Sequence, residues 1–298
     1  MDVTFRQLEL YLALVDLQSV TAVARAFHVT QPTVSMQLRE LTQSVGLPLY
    51  EVIGKRLFFT EAGDELARTA RAMTQLWTDM GQRMDAFKGL TRGRLKVSVV
   101  STAKYFVPRL LGRFCATHPD VDIALEVQNR DGVVQRLRDN RDDLYIMSMP
   151  PTDVDITRNV FLPNPLVVVA PIAHPLAESR GIALDILQAE KFILREKGSG
   201  TRRACDAYFA QQGFAPVVRL ELGSNEAIKQ AVAGGLGVSV LSTHALGDHV
   251  SDDSLCVLNV SGFPIHSNWY IVYPKGKRLP PIAQAFLDYL LQGIHTPP

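Results

Sequence analysis

Cysteine and tryptophan are scarce in this chain, and neither sign of charge prevails. Cys115, Cys205 and Cys256 are odd in number, far apart and without CxxC spacing, which argues against a disulfide framework or a structural metal site. The histidines are scattered, with no HExxH and no pair at ligand spacing, and His118 and His174 each precede a proline. No GxSxG motif sets out a nucleophile, so catalysis is not expected and no cofactor or metal is called for. Lys and Arg number 31 against 30 Asp and Glu, a net charge of +1, so bulk charge names no partner. Arg6, Glu9 and Asp16 interrupt the opening, and no unbroken apolar run of about 18 residues follows anywhere, so no export signal or membrane span is expected. A cytoplasmic location is the default expectation. What is present is a 298-residue chain, 47% hydrophobic and 20% charged, long enough for two or three compact cores. No low-complexity segment interrupts it.

The segment from Ser19 to Leu49 carries the strongest signal. Val20, Ala22, Val23, Ala24 and Ala26, then Phe27 and Val29, describe a short helix whose small side chains permit close approach of another. Thr30 is placed to cap a second helix, and Pro32 falls in its first turn, where a proline loses no intrahelical bond. Val34, Leu38, Leu41 and Val45 recur at spacings of four, three and four, one face of that helix. Gln31, Pro32, Thr33, Ser35, Met36 and Arg39 are left near its amino end, where a helix-turn-helix reaches base edges in the major groove. Two packed amphipathic helices also occur in folds that never touch nucleic acid, and the pair alone leaves both readings open. Residues 1–60 hold five basic side chains against five acidic ones, which does not decide between them. The following stretch does favour DNA. Tyr50-Glu51 leads through Ile53-Gly54-Lys55-Arg56 to Leu57-Phe58-Phe59-Thr60, a hairpin-like wing whose tip offers Lys55 and Arg56 to phosphates.

Phe5-Arg6-Gln7-Leu8, Ala24-Arg25-Ala26, Thr30-Gln31-Pro32-Thr33-Val34-Ser35 and Thr60-Glu61-Ala62-Gly63 occur in order, and with them residues 4–60 resemble the winged helix-turn-helix of LysR-type transcriptional regulators. The resemblance implies a multidomain plan: an all-α-type winged helix-turn-helix over 1–60, a dimerising linker helix over 61–89, and an effector-binding domain over 90–298. It implies double-stranded promoter DNA as partner, self-association from homodimer to homotetramer, and RNA polymerase as a further partner if the protein activates.

Leu66, Ala70, Met73, Trp77, Met80, Met84 and Phe87 form an apolar seam of 3.5-residue period, the pattern of helices that pair with one another. A helix lying on its own core would also be amphipathic; the length of this run and its place between two candidate domains favour dimerisation. Gly89 to Gly93 marks a hinge. From Arg94 strands and helices alternate. Strands are expected at Leu95–Val100, Val121–Val127, Asp143–Met147, Leu166–Ala170, Phe192–Leu194, Val217–Leu222, Val238–Leu241 and Trp269–Tyr273. Helices are expected over about 103–117, 131–140 and 201–212, from Asn225, and over 280–293. This α/β alternation argues for parallel sheets covered on both faces, arranged as two lobes about a cleft. Lobe I takes about 94–165 and 269–298, lobe II about 166–268, similar to the periplasmic-binding-protein-like effector domain of the LysR family. Gly234-Gly235-Leu236-Gly237 follows a helix and precedes a strand, so it reads as a helix stop, not as a phosphate loop.

Ligands in open α/β sheets lie beyond the carboxyl ends of the strands. Three stretches fall there and open helices: Ser101-Thr102, Ser199-Gly200-Thr201 with Arg202 just inside, and Ser224-Asn225. Each alone is more simply a helix cap. Three converging on one cleft point to a small anionic metabolite, with Lys104 and Arg130 adding positive charge from lobe I. Ser101 through Pro108, Asn129-Arg130, Asp142 through Met147, Gly198 through Arg202 and Glu221 through Gln230 most resemble the members of the family that regulate carbon-fixation (RuBisCO) operons. That resemblance adds Asn129 to the pocket and implies a phosphorylated or nicotinamide effector. A LysR-type regulator of another metabolic operon, with a carboxylate effector, is the alternative. A solute-binding protein or an enzyme using the cleft is disfavoured by the 90-residue N-terminal unit and the missing catalytic motif. The family's peroxide sensors use two cysteines near the positions of Gly200 and Phe209; Cys205 lies between these without a near partner, so thiol sensing is not expected.

Overall fold

The computed structural model describes residues 2–54, 56–87, 93–246 and 254–292, with backbone alone at 82, 83 and 85–87. Two compact units result, Met1–Met84 with Asp139–Arg141, and Asp85–Arg138 with Asp142–Pro298.

The first unit is a three-helix core with a hairpin and a long helix. Helix α1 (Phe5–Leu17) opens with a capping box: Gln7 N donates to Thr4 Oγ1 at 3.2 Å, and Thr4 N to Gln7 Oε1 at 3.0 Å. Ser19 Oγ caps α2 (Val20–Ala26), and Thr30 Oγ1 accepts from Thr33 N to start α3 (Gln31–Val45), which Gly46 ends at φ +79°. Val23, Ala24, Val34, Leu38 and Leu41 are buried with Leu8, Leu10, Tyr11 and Leu14 in one core, as the spacing predicts. Strands β1 (Tyr50–Ile53) and β2 (Arg56–Phe59) pair antiparallel, Tyr50 facing Phe59, to make the expected wing. Lys55 lies outside the described residues. Helix α4 (Glu61–Phe87) starts on Thr60, whose Oγ1 accepts from Gly63 N at 3.0 Å. A side chain at Gly63 would bring its Cβ to 2.0 Å from the Leu49 carbonyl and 2.6 Å from the Tyr11 hydroxyl, so only glycine lets this helix lie against the wing's base.

The apolar seam of α4 divides. Ala70 is fully buried and Leu66 partly so, both in the core of their own unit, because the first turns of α4 are needed to cover α1. From Met73 onwards the seam is solvent-exposed at Met73, Trp77, Met80 and Met84, joined by Leu76, which the 3.5-residue spacing did not select. The Phe87 side chain lies outside the described residues.

In the second unit, lobe I is one five-stranded sheet. Strand β3 (Gly93–Val100) is followed by a 3-10 turn (Ala103–Tyr105) and α5 (Val107–Thr117), then β4 (Val121–Gln128), α6 (Arg130–Arg138), β5 (Leu144–Met147) and β6 (Ile156–Pro163). Lobe II contains β7 (Leu166–Pro171), a 3-10 turn (Leu184–Ala189), β8 (Lys191–Arg195), α7 (Gly200–Gln211), β9 (Val217–Leu222), α8 (Asn225–Ala233), β10 (Ser239–Ser242), the short α9 (Thr243–Leu246) and β11 (Leu255–Leu258). The chain then returns to lobe I as β12 (Asn268–Pro274) and closes with α10 (Pro281–Gln292).

The sheets are mixed, which corrects the expectation of parallel ones. In lobe I the order is β4-β3-β5-β12-β6, with β3 parallel to β4 and β5, and β12 antiparallel to both its neighbours. The reason is the excursion itself. Strand β6 leads out and β12 leads back, so the two lie side by side and opposed, Pro163 facing Asn268. In lobe II β8 and β9 are parallel, whereas β7 lies antiparallel between β10 and β11. Strand β6 escaped sequence reading because its burial alternates through polar residues at a sheet edge, and the short β11 was not read either. The glycine run does end α8: Gly234 caps it, and Gly237 (φ +148°) passes so close to Lys191 that a Cβ would meet its carbonyl oxygen at 2.1 Å.

Near the crossover, His244 presents its ring to Phe106 (4.9 Å between centroids) and Trp269 (6.1 Å) while its Nε2 donates to the Pro163 carbonyl at 3.0 Å. Ser242 Oγ donates to Asn164 Oδ1 at 2.6 Å. The two lobes are therefore pinned by ring packing and hydrogen bonds next to the strands that join them.

Candidate nucleic-acid interface and anion cleft

Helix α3 buries one face and displays the other. Gln31, Pro32, Thr33, Met36 and Arg39 are exposed and Ser35 is half-buried. Their commitments within the protein are light: Thr33 Oγ1 lies 2.8 Å from Thr30 Oγ1, and Gln31 Oε1 accepts from Thr21 at 3.3 Å, both at exposed positions. Arg56 is exposed in the wing. Free donors on a helix held from below, next to a basic hairpin, are what phosphate positioning and base-edge contact require.

Most of the residues expected in the cleft are placed in the opposite way, buried and bonded to one another. Asn225, at the start of α8 in lobe II, is buried and donates through Nδ2 to Thr102 Oγ1 of lobe I at 3.2 Å. Its Oδ1 accepts from Arg195 Nη1 at 2.7 Å, which fixes the orientation of the amide. Arg195 Nη2 donates to Ser101 Oγ at 3.0 Å. Ser101 and Thr102 thus both accept hydrogen bonds on their oxygens, and each hydroxyl still has its own proton to donate. Such a pair of donors backed by a guanidinium suits an anion. Across the same mouth, Tyr105 donates to Glu226 at 2.6 Å, and Lys229 pairs with Glu226 at 2.9 Å. Burial alone would raise the Glu226 carboxyl, yet these two partners hold it below its ordinary range, while burial and Glu226 together push the Tyr105 phenol up.

A second group of residues surrounds the start of α7. Ser199 Oγ caps the helix through Arg202 N, and the Gly198 carbonyl accepts from Asp131 N at 3.3 Å. A Cβ at Gly200 would reach Ser148 Oγ at 3.0 Å, and one at Gly198 would reach Asp131 Oδ2 at 2.7 Å, so the glycines let the lobes approach. Thr201 is buried here. Asn129 is exposed and caps α6 through Gly132 N at 2.9 Å.

The basic residues expected in the cleft are differently employed. Arg202 gives Nε to both oxygens of Asp206 (2.9 and 3.0 Å) and Nη1 to Glu221 and the Arg195 carbonyl. Its charge is met within lobe II, and those two acids raise its pKa against the effect of burial. Arg130 is buried, donates to the Met149 carbonyl at 2.6 Å and pairs with Asp131; burial, reinforced by Arg203, lowers its pKa. Lys104 Nζ lies over the Tyr105 ring at 5.1 Å. Ser101 and Lys104 have the SxxK spacing of some acylating serines; here Ser101 Oγ accepts from Arg195 and Lys104 lies over an aromatic face. The residue that sequence reasoning missed is Arg195 itself, the last residue of β8. Its position at the carboxyl end of a strand was the available signal. Among the described residues no group of three or more His, Cys, Asp or Glu is placed to hold a metal, and no helix is long and apolar enough to cross a membrane.

Residues 5–64 match the model of the bacterial regulatory helix-turn-helix proteins of the lysR family, and residues 88–294 that of the LysR substrate binding domain. The HTH-type transcriptional activator CmpR of Synechocystis is 43% identical over 97% of this chain and 95% of its own. The RuBisCO operon transcriptional regulator of Acidithiobacillus ferrooxidans is 43% identical over 96% of this chain and 93% of its own. Among solved structures, the regulatory domain of Synechocystis PCC6803 CcmR in complex with 2-PG is 48% identical, covers 69% of this chain and 99% of that one, and superposes with a TM-score of 0.67. Full-length CbnR, solved with its target DNA, shares the fold at 22% identity and a TM-score of 0.69, covering 97% of this chain and 99% of its own. The chain belongs to the LysR family of bacterial regulatory helix-turn-helix proteins.

Proposed function

We propose that this protein is a promoter-binding transcriptional regulator of carbon-fixation genes, switched by a small phosphorylated acid held between the two lobes of residues 90–298. The observation that carries the effector assignment is the directed chain Arg195→Asn225→Thr102, with Arg195→Ser101 beside it, which leaves two hydroxyls able to donate to an anion. Support for the ligand class comes from CcmR, whose regulatory domain binds 2-PG, 2-phosphoglycolate. Support for the target comes from the RuBisCO operon regulators and CmpR, similar along nearly the full length. Ser101, Thr102, Ser199, Gly200, Thr201 and Asn225 form the pocket, with Lys104, Asn129 and Arg130 at its margin. Gln31, Thr33, Ser35, Met36 and Arg39 read the operator, and Arg56 positions the wing.

In this reading the exposed stretch Met73, Leu76, Trp77, Met80 and Met84 pairs with a second copy, and dimers assemble into a homotetramer that sets recognition helices on successive grooves. The effector shifts the lobes and so the spacing of those helices, which requires that it bind the two arrangements with different affinity. No catalytic step enters. RNA polymerase joins as a partner if the protein activates.

The test is a footprint of the full-length protein on DNA upstream of the host's carbon-fixation genes, with and without 2-PG. Specific protection whose extent changes with 2-PG is expected. Thr102→Val and Thr201→Val are expected to keep promoter binding and lose the change. Absence of specific protection overturns the assigned target, and an unaltered response in both variants removes those residues from the pocket.

A further inference from the structure

A guanidinium offers its Nε/Nη2 edge to an oxyanion as two parallel N–H donors. On Arg195 that edge is taken from within the protein: Nε donates to Glu196 Oε2 at 2.8 Å and Nη2 to Glu196 Oε1 at 3.0 Å. The same Nη2 is the donor to Ser101 Oγ, so the Glu196 carboxylate sits directly beside the hydroxyls assigned to the effector. Arg130 is not built this way; its Nε is spent on the Met149 carbonyl and it meets Asp131 through Nη1.

The two partners differ in freedom. The Arg195 side chain is 1% exposed and that of Glu196 24%. Glu196 can swing into water at modest cost, whereas a buried arginine cannot be left without a counter-ion. Whatever acid reaches the Nε/Nη2 edge must therefore exchange with Glu196 and cannot simply be added.

We propose that Glu196 is a built-in competitor for the effector: an anionic ligand binds by displacing the Glu196 carboxylate from Arg195, and this exchange sets the ligand concentration at which the regulator responds. The proposal rests on the anionic-effector reading of the cleft. A tethered carboxylate competes at high effective concentration, so a ligand succeeds by carrying more charge and more acceptor oxygens, as a phosphate does.

The test is equilibrium binding of 2-PG to the full-length protein and to Glu196→Gln, which keeps the shape and removes the charge. Tighter binding by about ten-fold or more, equivalent to about 1.4 kcal/mol, is expected in the variant. Glu196→Asp, which keeps the charge, should remain near the wild-type value. A dissociation constant for Glu196→Gln unchanged within about two-fold, or a weaker one, would show that Glu196 only positions Arg195 and overturns the proposal while leaving the effector reading intact. Failure of 2-PG to bind either protein removes the effector reading, and the proposal with it.

Discussion

The recognition helix and the cleft use polar side chains in opposite ways. On α3 the polar residues stand on a solvated face, and the helix is held by Val34, Leu38 and Leu41 beneath them. At the cleft positions Thr102, Arg195, Ser199, Thr201 and Asn225 are all buried, and the Arg195 side chain donates to three other residues. A display surface separates function from stability, because its donors are satisfied by water until DNA arrives. A preorganised pocket couples them, because each donor is aimed by another that cannot be removed singly.

The largest effect that would sharpen this contrast is expected at Arg195. Arg195→Met should abolish the response to effector and also destabilise the effector-binding unit by about 3 kcal/mol, since Asn225, Ser101 and Glu196 lose one shared partner. Chemical denaturation together with the promoter footprint checks both halves, and loss of response without loss of stability would break the coupling. Gly63→Ala comes next. Its Cβ has no room against the Leu49 carbonyl, so a loss of about 1–3 kcal/mol confined to the N-terminal unit is expected, readable by hydrogen exchange in α1 to α3.

Arg39→Ala tests the other side of the comparison. It should weaken binding to operator duplex by about 1–3 kcal/mol if the side chain reaches a base, with binding to random duplex and the melting temperature nearly unchanged. Equal loss on both duplexes would assign it to phosphate. Thr30→Ala should cost about 1 kcal/mol of stability through the lost cap on α3, seen as a lower denaturation midpoint. The smallest expected effect is none at all. Burial pushes the Cys205 thiol up to about 12, so at pH 8 only about one molecule in ten thousand carries the thiolate. Iodoacetamide should leave Cys205 unlabelled in the folded protein and label it after denaturation; labelling of the native chain would disprove the burial.

The exposed polar face of α3 was legible because everything that defines it is local. A capping threonine, a proline in the first turn and spacings of three and four fix both the helix and the side it buries. The wing was legible for the same reason, two short apolar runs around a glycine. The seam of α4 was half legible: its period is in the sequence, but period alone does not say that Leu66 and Ala70 are claimed by the unit's own core while Met73 and Trp77 are left outside. Two of the helix starts, after Ser199 and Ser224, were found from their caps, whereas Thr102 makes no capping bond and a 3-10 turn stands where a helix was expected. Which charges they would meet was not legible, since Arg202 turns out to be absorbed by Asp206 and Glu221.

By itself the sequence determined the elements whose causes lie within a turn or two: the caps and the amphipathic faces, whereas the need for glycine at position 63 comes from Leu49 and Tyr11, distant along the chain. Tertiary structure alone decided that Arg195 would join Ser101, Asn225 and Glu196. Its bond to Ser101 spans 94 residues, and the bond of Asn225 to Thr102 spans 123. Such partners are chosen when two lobes fold against each other and leave buried donors that must be paired, a constraint that no local spacing encodes.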